Sequence, residues 1–413
     1  MRRLSGFTTI LIATAIAGVA SYALTILVPN QIGLAEYAVF AMFWSFLYLL
    51  VGALGGIQQE VTRATRPAPS QPGPRTSSSR GFGLLAAALV SVAVTATAPL
   101  WAGSVFPVDD WNLVWPLAIG AASYVLIAVL AGSLYGVLAW TPIALLITTD
   151  ALLRLAIVAI TLTITHDIVA LAWAVALPFP VTLLALWPVI GGSIVGRSQI
   201  DVGYLELSWN VLRTVAAASA TAVMVSGFPL LLGLNARGES ADTLGMFIVA
   251  ITLTRAPLIV VALSLQSYLV VHFRNHRNHF WLHFLRIIGL VFAGGSALAM
   301  AGWLFGPDVY HLLFPHRLQP DSQFFAILVG SSALVAALCI TAPAVLARSQ
   351  HLVYSAGWIA AAAATVAALA LPLDFASRTI AALVVGPAFG LLVHGGYLVV
   401  AGLRERRTRA PLP

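Results

Sequence analysis

GFTTILIATAIAGVASYALTILVPNQIGLAEYAVFAMFWSFLYLLVGALGGIQQEVTRATR, residues 6 to 66, is apolar from Phe7 to Val28 and again from Tyr37 to Ile57. Each run is about 20 residues, which at a rise of about 1.5 Å per residue crosses roughly 30 Å of hydrocarbon. Backbone groups facing lipid must bond within their own segment, so both runs are expected to be helices. Arg2 and Arg3 precede the first run, and Gln58-Gln59-Glu60 with Arg63 and Arg66 follow the second. Between them Pro29-Asn30-Gln31-Ile32-Gly33-Leu34-Ala35-Glu36 is expected to form the turn.

The whole chain has this character. Of 413 residues, 60% are hydrophobic and 8% charged, too few charges to cover a water-exposed surface. The expected fold class is an all-α polytopic membrane protein. The net charge of +7 is spread over short loops instead of gathered in a patch, so no nucleic-acid partner is expected. All 21 basic residues are arginine. Cys339 is the single cysteine, which excludes an intrachain disulfide. The first apolar run is too long for a signal peptide and is expected to stay as the first helix.

Twelve spans are expected. After the opening hairpin comes a loop rich in Pro, Ser and Arg, with Pro67, Pro69, Pro72, Pro74, Arg75 and Arg80, which is not expected to be helical. Spans three to six cover roughly 82–104, 113–135, 142–165 and 168–194. Spans seven to twelve cover roughly 207–232, 244–270, 284–305, 322–347, 352–373 and 379–401.

Charge sets the orientation. Loops on the N-terminal side hold Arg2, Arg3, Arg63, Arg66, Arg75, Arg80, Arg197, Arg274, Arg277, Arg348, Arg404, Arg406, Arg407 and Arg409, against Arg237, Arg317 and Arg378 on the other. Arginine-rich loops face the cytoplasm. Both termini are therefore expected to be cytoplasmic. The acidic residues Glu36, Asp109, Asp110, Asp167, Glu239, Asp242, Asp308, Asp321 and Asp374 fall on the opposite side.

Ala35-Glu36-Tyr37 opens span two and Ala241-Asp242-Thr243 opens span eight, each acid complementing a helix dipole at the outer face. This suggests a parallel repeat of two six-helix halves, 1–200 and 201–413, around a central cavity.

Ser21-Tyr22, then Gln31-Ile32-Gly33-Leu34-Ala35-Glu36-Tyr37-Ala38-Val39-Phe40, then Gly55-Gly56-Ile57-Gln58 before Arg63 resemble the opening of the polysaccharide flippases. Those belong to the multidrug/oligosaccharidyl-lipid/polysaccharide exporter superfamily. Thr252-Leu253-Thr254-Arg255-Ala256-Pro257-Leu258 with Gln266 is similar to that family's eighth helix. Pro29-Asn30-Gln31 stands where the family commonly has an arginine, and Leu269-Val270-Val271-His272 stands where it has a proline. The resemblance implies transport of an undecaprenyl-pyrophosphate-linked oligosaccharide for cell-surface polysaccharide synthesis. The partners it implies are membrane lipids and a polysaccharide polymerase or glycosyltransferases.

Charged side chains at mid-membrane are costly and usually face a cavity or a partner. Four arginines lie within spans: Arg154, Arg213, Arg255 and Arg286. Arg286 is close enough to a helix end to snorkel. Arg154 follows Asp150 by four residues, a spacing that pairs on a helix. Arg255 is deepest, has no acidic residue within a turn of sequence, and precedes Pro257, which can kink a helix. Arginine's planar fork suits pyrophosphate oxygens. Arg255, Arg154 and Arg213 are therefore the candidate substrate-binding residues.

His272, His276, His279 and His283 form a stripe at helical spacing without Cys or acidic partners. With Arg274, Arg277, Phe280 and Trp281 they read as a segment at headgroup level, so no metal site and no cofactor is expected. Four Gly-x-x-x-Gly pairs, at Gly52, Gly132, Gly192 and Gly386, permit close helix contacts. Two other functions compete. A major-facilitator-type transporter of small solutes or drugs shares the span count, but its Asp-Arg-x-Gly-Arg-Arg-like loop is absent after span two. A membrane glycosyltransferase wants an acidic base in a sizeable outer loop, and the loop of Glu36 is short. No phosphate-cradling, hydrolytic or zinc motif is present, so the chain is read as a transporter and not an enzyme.

Overall fold

In a computed structural model the described residues are 6–67, 79–106, 110–195, 198–276, 279–315 and 320–409. Most of the expected Pro-rich loop and the expected loop charges Asp109, Arg197, Arg277 and Arg317 lie outside them. The chain divides into two compact units, Met1–Leu234 and Asn235–Pro413.

The first unit holds α1 (Gly6–Gln31), α2 (Leu34–Ala64), β1 (Thr65–Pro67), α3 (Ser79–Val105), α4 (Asp110–Gly136), α5 (Trp140–Ile164), α6 (Ile168–Ala176), α7 (Pro178–Ile190), β2 (Ser198–Ile200), α8 (Tyr204–Val225) and α9 (Phe228–Leu234). The second holds α10 (Ala241–Ser264), α11 (Gln266–Asn275), α12 (Phe280–Leu313), α13 (Ser322–Leu346), α14 (His351–Leu369) and α15 (Phe375–Arg409). The protein is an all-α polytopic membrane protein. Among the described residues ten helical stretches are long and apolar enough to cross a membrane, or eleven with α8 and α9 taken as one bent span. The twelve expected spans each fall on a helix or a helix pair, with α10 and α11 in the eighth place.

The first turn is shorter than the sequence suggests. Pro29 lies inside α1, and only Ile32 and Gly33 separate α1 from α2. Ile32 N–H still reaches the Val28 carbonyl, and the Asn30 amide caps the Ile26 carbonyl, so the helix continues past the proline. Gly33 is the N-cap of α2, and the Glu36 carboxylate, three residues on, folds back beside it.

Each unit is built on one buried helix. In the first, α4 packs against α2, α3, α6 and α7; in the second, α13 packs against α10, α11, α12, α14 and α15. These are the fourth spans of the two expected halves. By contrast α12 exposes Leu282, Leu285, Leu290, Leu304, Phe305 and Leu312, the composition of a lipid-facing surface.

Glycine sets the closest approaches. A Cβ on Gly56 would stand 2.6 Å from Val215 N, and one on Gly52 2.8 Å from Ala222 Cβ, so α8 lies directly on α2. That contact places the seventh expected span in the first unit. Gly132 and Gly136 seat α4 on the end of α2, and Gly386 and Gly390 seat α15 on α14. The Gly192 position is open.

Two spans are broken. Pro178 and Pro180 remove two N–H donors and divide the sixth span at Leu177. The seventh bends by 73° between α8 and α9. Ser45 of α2 stitches that bend, donating to the Ser226 carbonyl at 2.5 Å and accepting from Leu230 N–H at 3.1 Å. At one end of the bundle β1 pairs antiparallel with β2, Thr65 opposite Ile200, and Arg66 bonds Asp201 at 3.2 Å.

Candidate functional site

The three candidate arginines occupy three different environments. Arg154 is 4% exposed on α5. Its Nη2 pairs with Asp150 Oδ2 at 2.9 Å, one turn earlier on the same helix. Its Nη1 donates to Tyr48 Oη of α2 at 2.6 Å, and its Nε to the Val175 carbonyl of α6 at 3.2 Å. That carbonyl sits where the prolines thin out the backbone donors, so the guanidinium supplies one. The Phe179 ring of α7 lies 4.5 Å from the guanidinium carbon, a cation–π contact strengthened by the lack of competing water. Trp44 stacks on Tyr48, and Tyr124 meets Phe179 edge-on. The result is a charge-balanced polar knot joining α2, α5, α6 and α7.

Arg255 is 5% exposed on α10, which packs on α13. The expected bend at Pro257 is not where the span breaks: α10 runs through that position to Ser264, and the break comes at Leu265. Arg213 is exposed on α8, its guanidinium 5.0 Å from the ring of the half-exposed Trp209. A guanidinium's planar fork of donors is the kind of group that binds phosphate oxygens bidentately. The structure brings Arg154 together with Asp150, and places Arg213 in the first unit and Arg255 in the second.

The histidine stripe folds back on itself. His272 of α11 lies 3.2 Å from His283 of α12 through Nε2 and Nδ1, and the His276 ring stacks on His272 with centroids 4.5 Å apart. Burial and the neighbouring His276 and His283 push the His272 imidazole below its usual range. His283 meets the His272 ring edge-on, with centroids 4.9 Å apart. No set of three His, Cys, Asp or Glu among the described residues is arranged to hold a metal ion.

Sequence reading passed over one polar group altogether. His394 of α15 is fully buried, with Nδ1 3.1 Å from Thr341 Oγ1 of α13 and Nε2 3.2 Å from the Tyr354 carbonyl of α14. The one signal was a lone histidine in the apolar run Gly390-Leu391-Leu392-Val393-His394-Gly395-Gly396.

Comparison with known proteins assigns the chain to a family. It is 31% identical over 386 residues to the uncharacterized protein Rv3630 of Mycobacterium tuberculosis, covering 92% of this chain and 89% of that protein. It is 32% identical over 402 residues to the uncharacterized protein Rv1510 of the same species, covering 95% and 90%. The chain belongs to the family of these mycobacterial proteins. No family model matches it.

Solved structures show which fold the chain has. The inward-facing form of a multidrug resistance MATE family transporter of the MOP superfamily aligns with a TM-score of 0.63 at 16% identity, over 99% of this chain and 98% of that one. Its outward-facing form aligns at 0.61, over 97% and 96%. A MOP superfamily transporter from Pyrococcus furiosus, described as having a binding pocket of reverse polarity that suggests a different function, aligns at 0.61 and 14% identity over 98% and 96%. The chain therefore shares the fold of these transporters.

Proposed function

We propose that the protein is a membrane transporter working by alternating access, and that it moves a lipid-linked oligosaccharide of the undecaprenyl-pyrophosphate type across the cytoplasmic membrane of a bacterium. The observation that carries the transporter reading is the end-to-end likeness of fold to MATE transporters. The finer substrate reading rests on the flippase-like residues from Ser21 to Arg63 and on cationic side chains within the spans. Arg255 and Arg213 are each candidates to bind the pyrophosphate, while Arg154, already matched by Asp150, holds α2, α5, α6 and α7 together. A parallel repeat of two halves, expected from the sequence, belongs to the same proposal.

Replacing Arg255 with Gln, and separately Arg213 with Gln, is expected to reduce surface glycan at least several-fold with the protein still present in the membrane. In cells depleted of the protein, complete lipid-linked oligosaccharide should accumulate in the cytoplasmic leaflet. Unchanged glycan in both variants would remove these arginines from the mechanism.

A second reading is favoured by the multidrug MATE transporter among the similar structures. On that reading depletion leaves lipid-linked glycan at normal levels and instead increases sensitivity to drugs.

A further inference from the structure

His394 is a titratable side chain sealed inside the second unit, and neither the substrate reading nor the helix packing uses its chemistry. Intramembrane ionisable residues are costly and tend to carry protons, ions or substrates. A histidine there as mere filling would be served by any two fixed partners. Its actual partners are of two kinds. Nε2 faces the Tyr354 carbonyl at 3.2 Å, an acceptor only, so this nitrogen carries a hydrogen in every state. Nδ1 faces Thr341 Oγ1 at 3.1 Å, and that hydroxyl also lies 3.1 Å from the Leu338 carbonyl. A hydroxyl can donate in one direction while accepting from another. In the neutral ring the Thr341 hydrogen points at Nδ1. In the charged ring Nδ1–H donates to Oγ1, and the hydroxyl hydrogen turns to Leu338. Every polar atom is satisfied in both states.

The space is made for the ring. A Cβ on Gly357 would fall on His394 Nε2, and the Tyr354 ring stacks against the imidazole at 6.5 Å. Thr341 lies five residues before the end of α13 and Tyr354 three after the start of α14, so the site is about one and a half turns from the 347–350 connection. The arginine-rich side of the sequence puts that connection at the cytoplasm. The titratable groups nearby on the packed helices are Cys339 on α13, Tyr354 and His351 on α14, and Tyr397 on α15. The nearest fixed charges on them, Arg348 and Arg404, are about 10 Å and 15 Å away along their helices. Among the described residues no carboxylate on these helices lies near His394 to hold the ring permanently charged.

We infer that His394 is a reversible proton-binding site, with the Thr341 hydroxyl as its rotating partner. The step balances: a proton from water at the 347–350 face bonds to the Nδ1 lone pair, the Thr341 hydrogen swings to the Leu338 carbonyl, and one positive charge stays on the ring. Only the use of this proton to drive transport rests on the function proposed above.

The test is made on the full-length purified protein in nanodiscs, with isotope-labelled histidine and no transported substrate. Ring nitrogen resonances are followed from pH 8 to pH 5 and His394 is assigned by its loss in His394→Gln. The wild-type ring should convert from the neutral Nε2–H form to the doubly protonated form within this range. Thr341→Val removes the acceptor of the new N–H and should lower the midpoint by about one pH unit, because hydrogen bonds to charged groups exceed neutral ones by about that much. Thr341→Ser should restore it. A His394 ring that stays neutral throughout, or a midpoint indifferent to Thr341→Val, overturns the inference. A failed oligosaccharide transport assay would count against the proposed function and leave this titration as it stands.

Discussion

A guanidinium inside a membrane has to be answered by acceptors, and Arg154 is answered by three, from α5, α2 and α6. The decisive one is Asp150, because it cancels the charge. Removing one partner of a buried ion pair leaves the other uncompensated, at about 3–5 kcal/mol. Asp150→Asn is therefore expected to lower the thermal midpoint of the protein in detergent by many degrees. The double variant Asp150→Asn with Arg154→Gln should recover much of that loss, while Arg213→Gln, at an exposed position, should move stability by no more than about 0.5 kcal/mol. A wild-type midpoint in Asp150→Asn would show that the pair does not hold the knot together. The pairing itself was legible in the sequence, since four residues on a helix bring the side chains onto one face. Tyr48, Val175 and Phe179 were not legible. They lie 106, 21 and 25 residues from Arg154, and only the folding of α2, α6 and α7 around α5 brings them in. His394 is the same case, with partners 53 and 40 residues away.

At the scale of single elements, the acidic residues acquire a physical reason. Asp167 accepts from Ala170 N–H at the start of α6, Asp321 from Phe324 N–H at the start of α13, and Asp374 from Ser377 N–H at the start of α15. Glu36 and Asp242 sit in the first turns of α2 and α10. The Asp374 carboxylate is held below its usual range by its bonds to Ser377. Asp167, Asp321 and Asp374 cap helices that start on the expected outer side, and Glu36 and Asp242 lie where a carboxylate complements the dipole. The small-residue contacts are likewise specific, and the Gly-x-x-x-Gly spacing alone did not distinguish them: Gly192 meets nothing, whereas Gly56 meets the backbone of Val215 and Thr214. What separates the cases is which helix arrives opposite, which is a tertiary fact. Gly56→Ala forces α2 and α8 apart and is expected to cost about 1–3 kcal/mol. Gly289→Ala, in α12 where a Cβ meets nothing, should be neutral or stabilise by up to about 1 kcal/mol through helix propensity. Equal thermal midpoints for the two variants would mean that the α2–α8 contact is looser than its geometry.

For the whole molecule, the consequence is that the acids, being caps, say where helices begin, and the sidedness rests on the arginines. Arginine-rich loops are retained in the cytoplasm because translocating them is unfavourable, so residues 237–242 and 370–374 are expected outside, and 347–350 and the end of α15 inside. Cys339 is the only cysteine and is buried, which makes the expectation easy to measure. In a Cys339→Ala background, Glu239→Cys and Leu373→Cys should react with a membrane-impermeant maleimide added to intact cells. Gln350→Cys and Arg404→Cys should react only after permeabilisation. The opposite pattern would invert the molecule. The pairs also count crossings. Gln350 and Arg404 are separated by α14 and α15, and Glu239 and Leu373 by α10 with α11, α12, α13 and α14, so each pair shares a side if an even number of those elements crosses, as it does when all of them span. Labelling of Leu373→Cys with protection of Glu239→Cys would therefore mean that an odd number of these four elements crosses; if Gln350→Cys is protected as well, the failing element lies among α10 with α11, α12 and α13, and loss of the first of these would take Arg255 out of the membrane path.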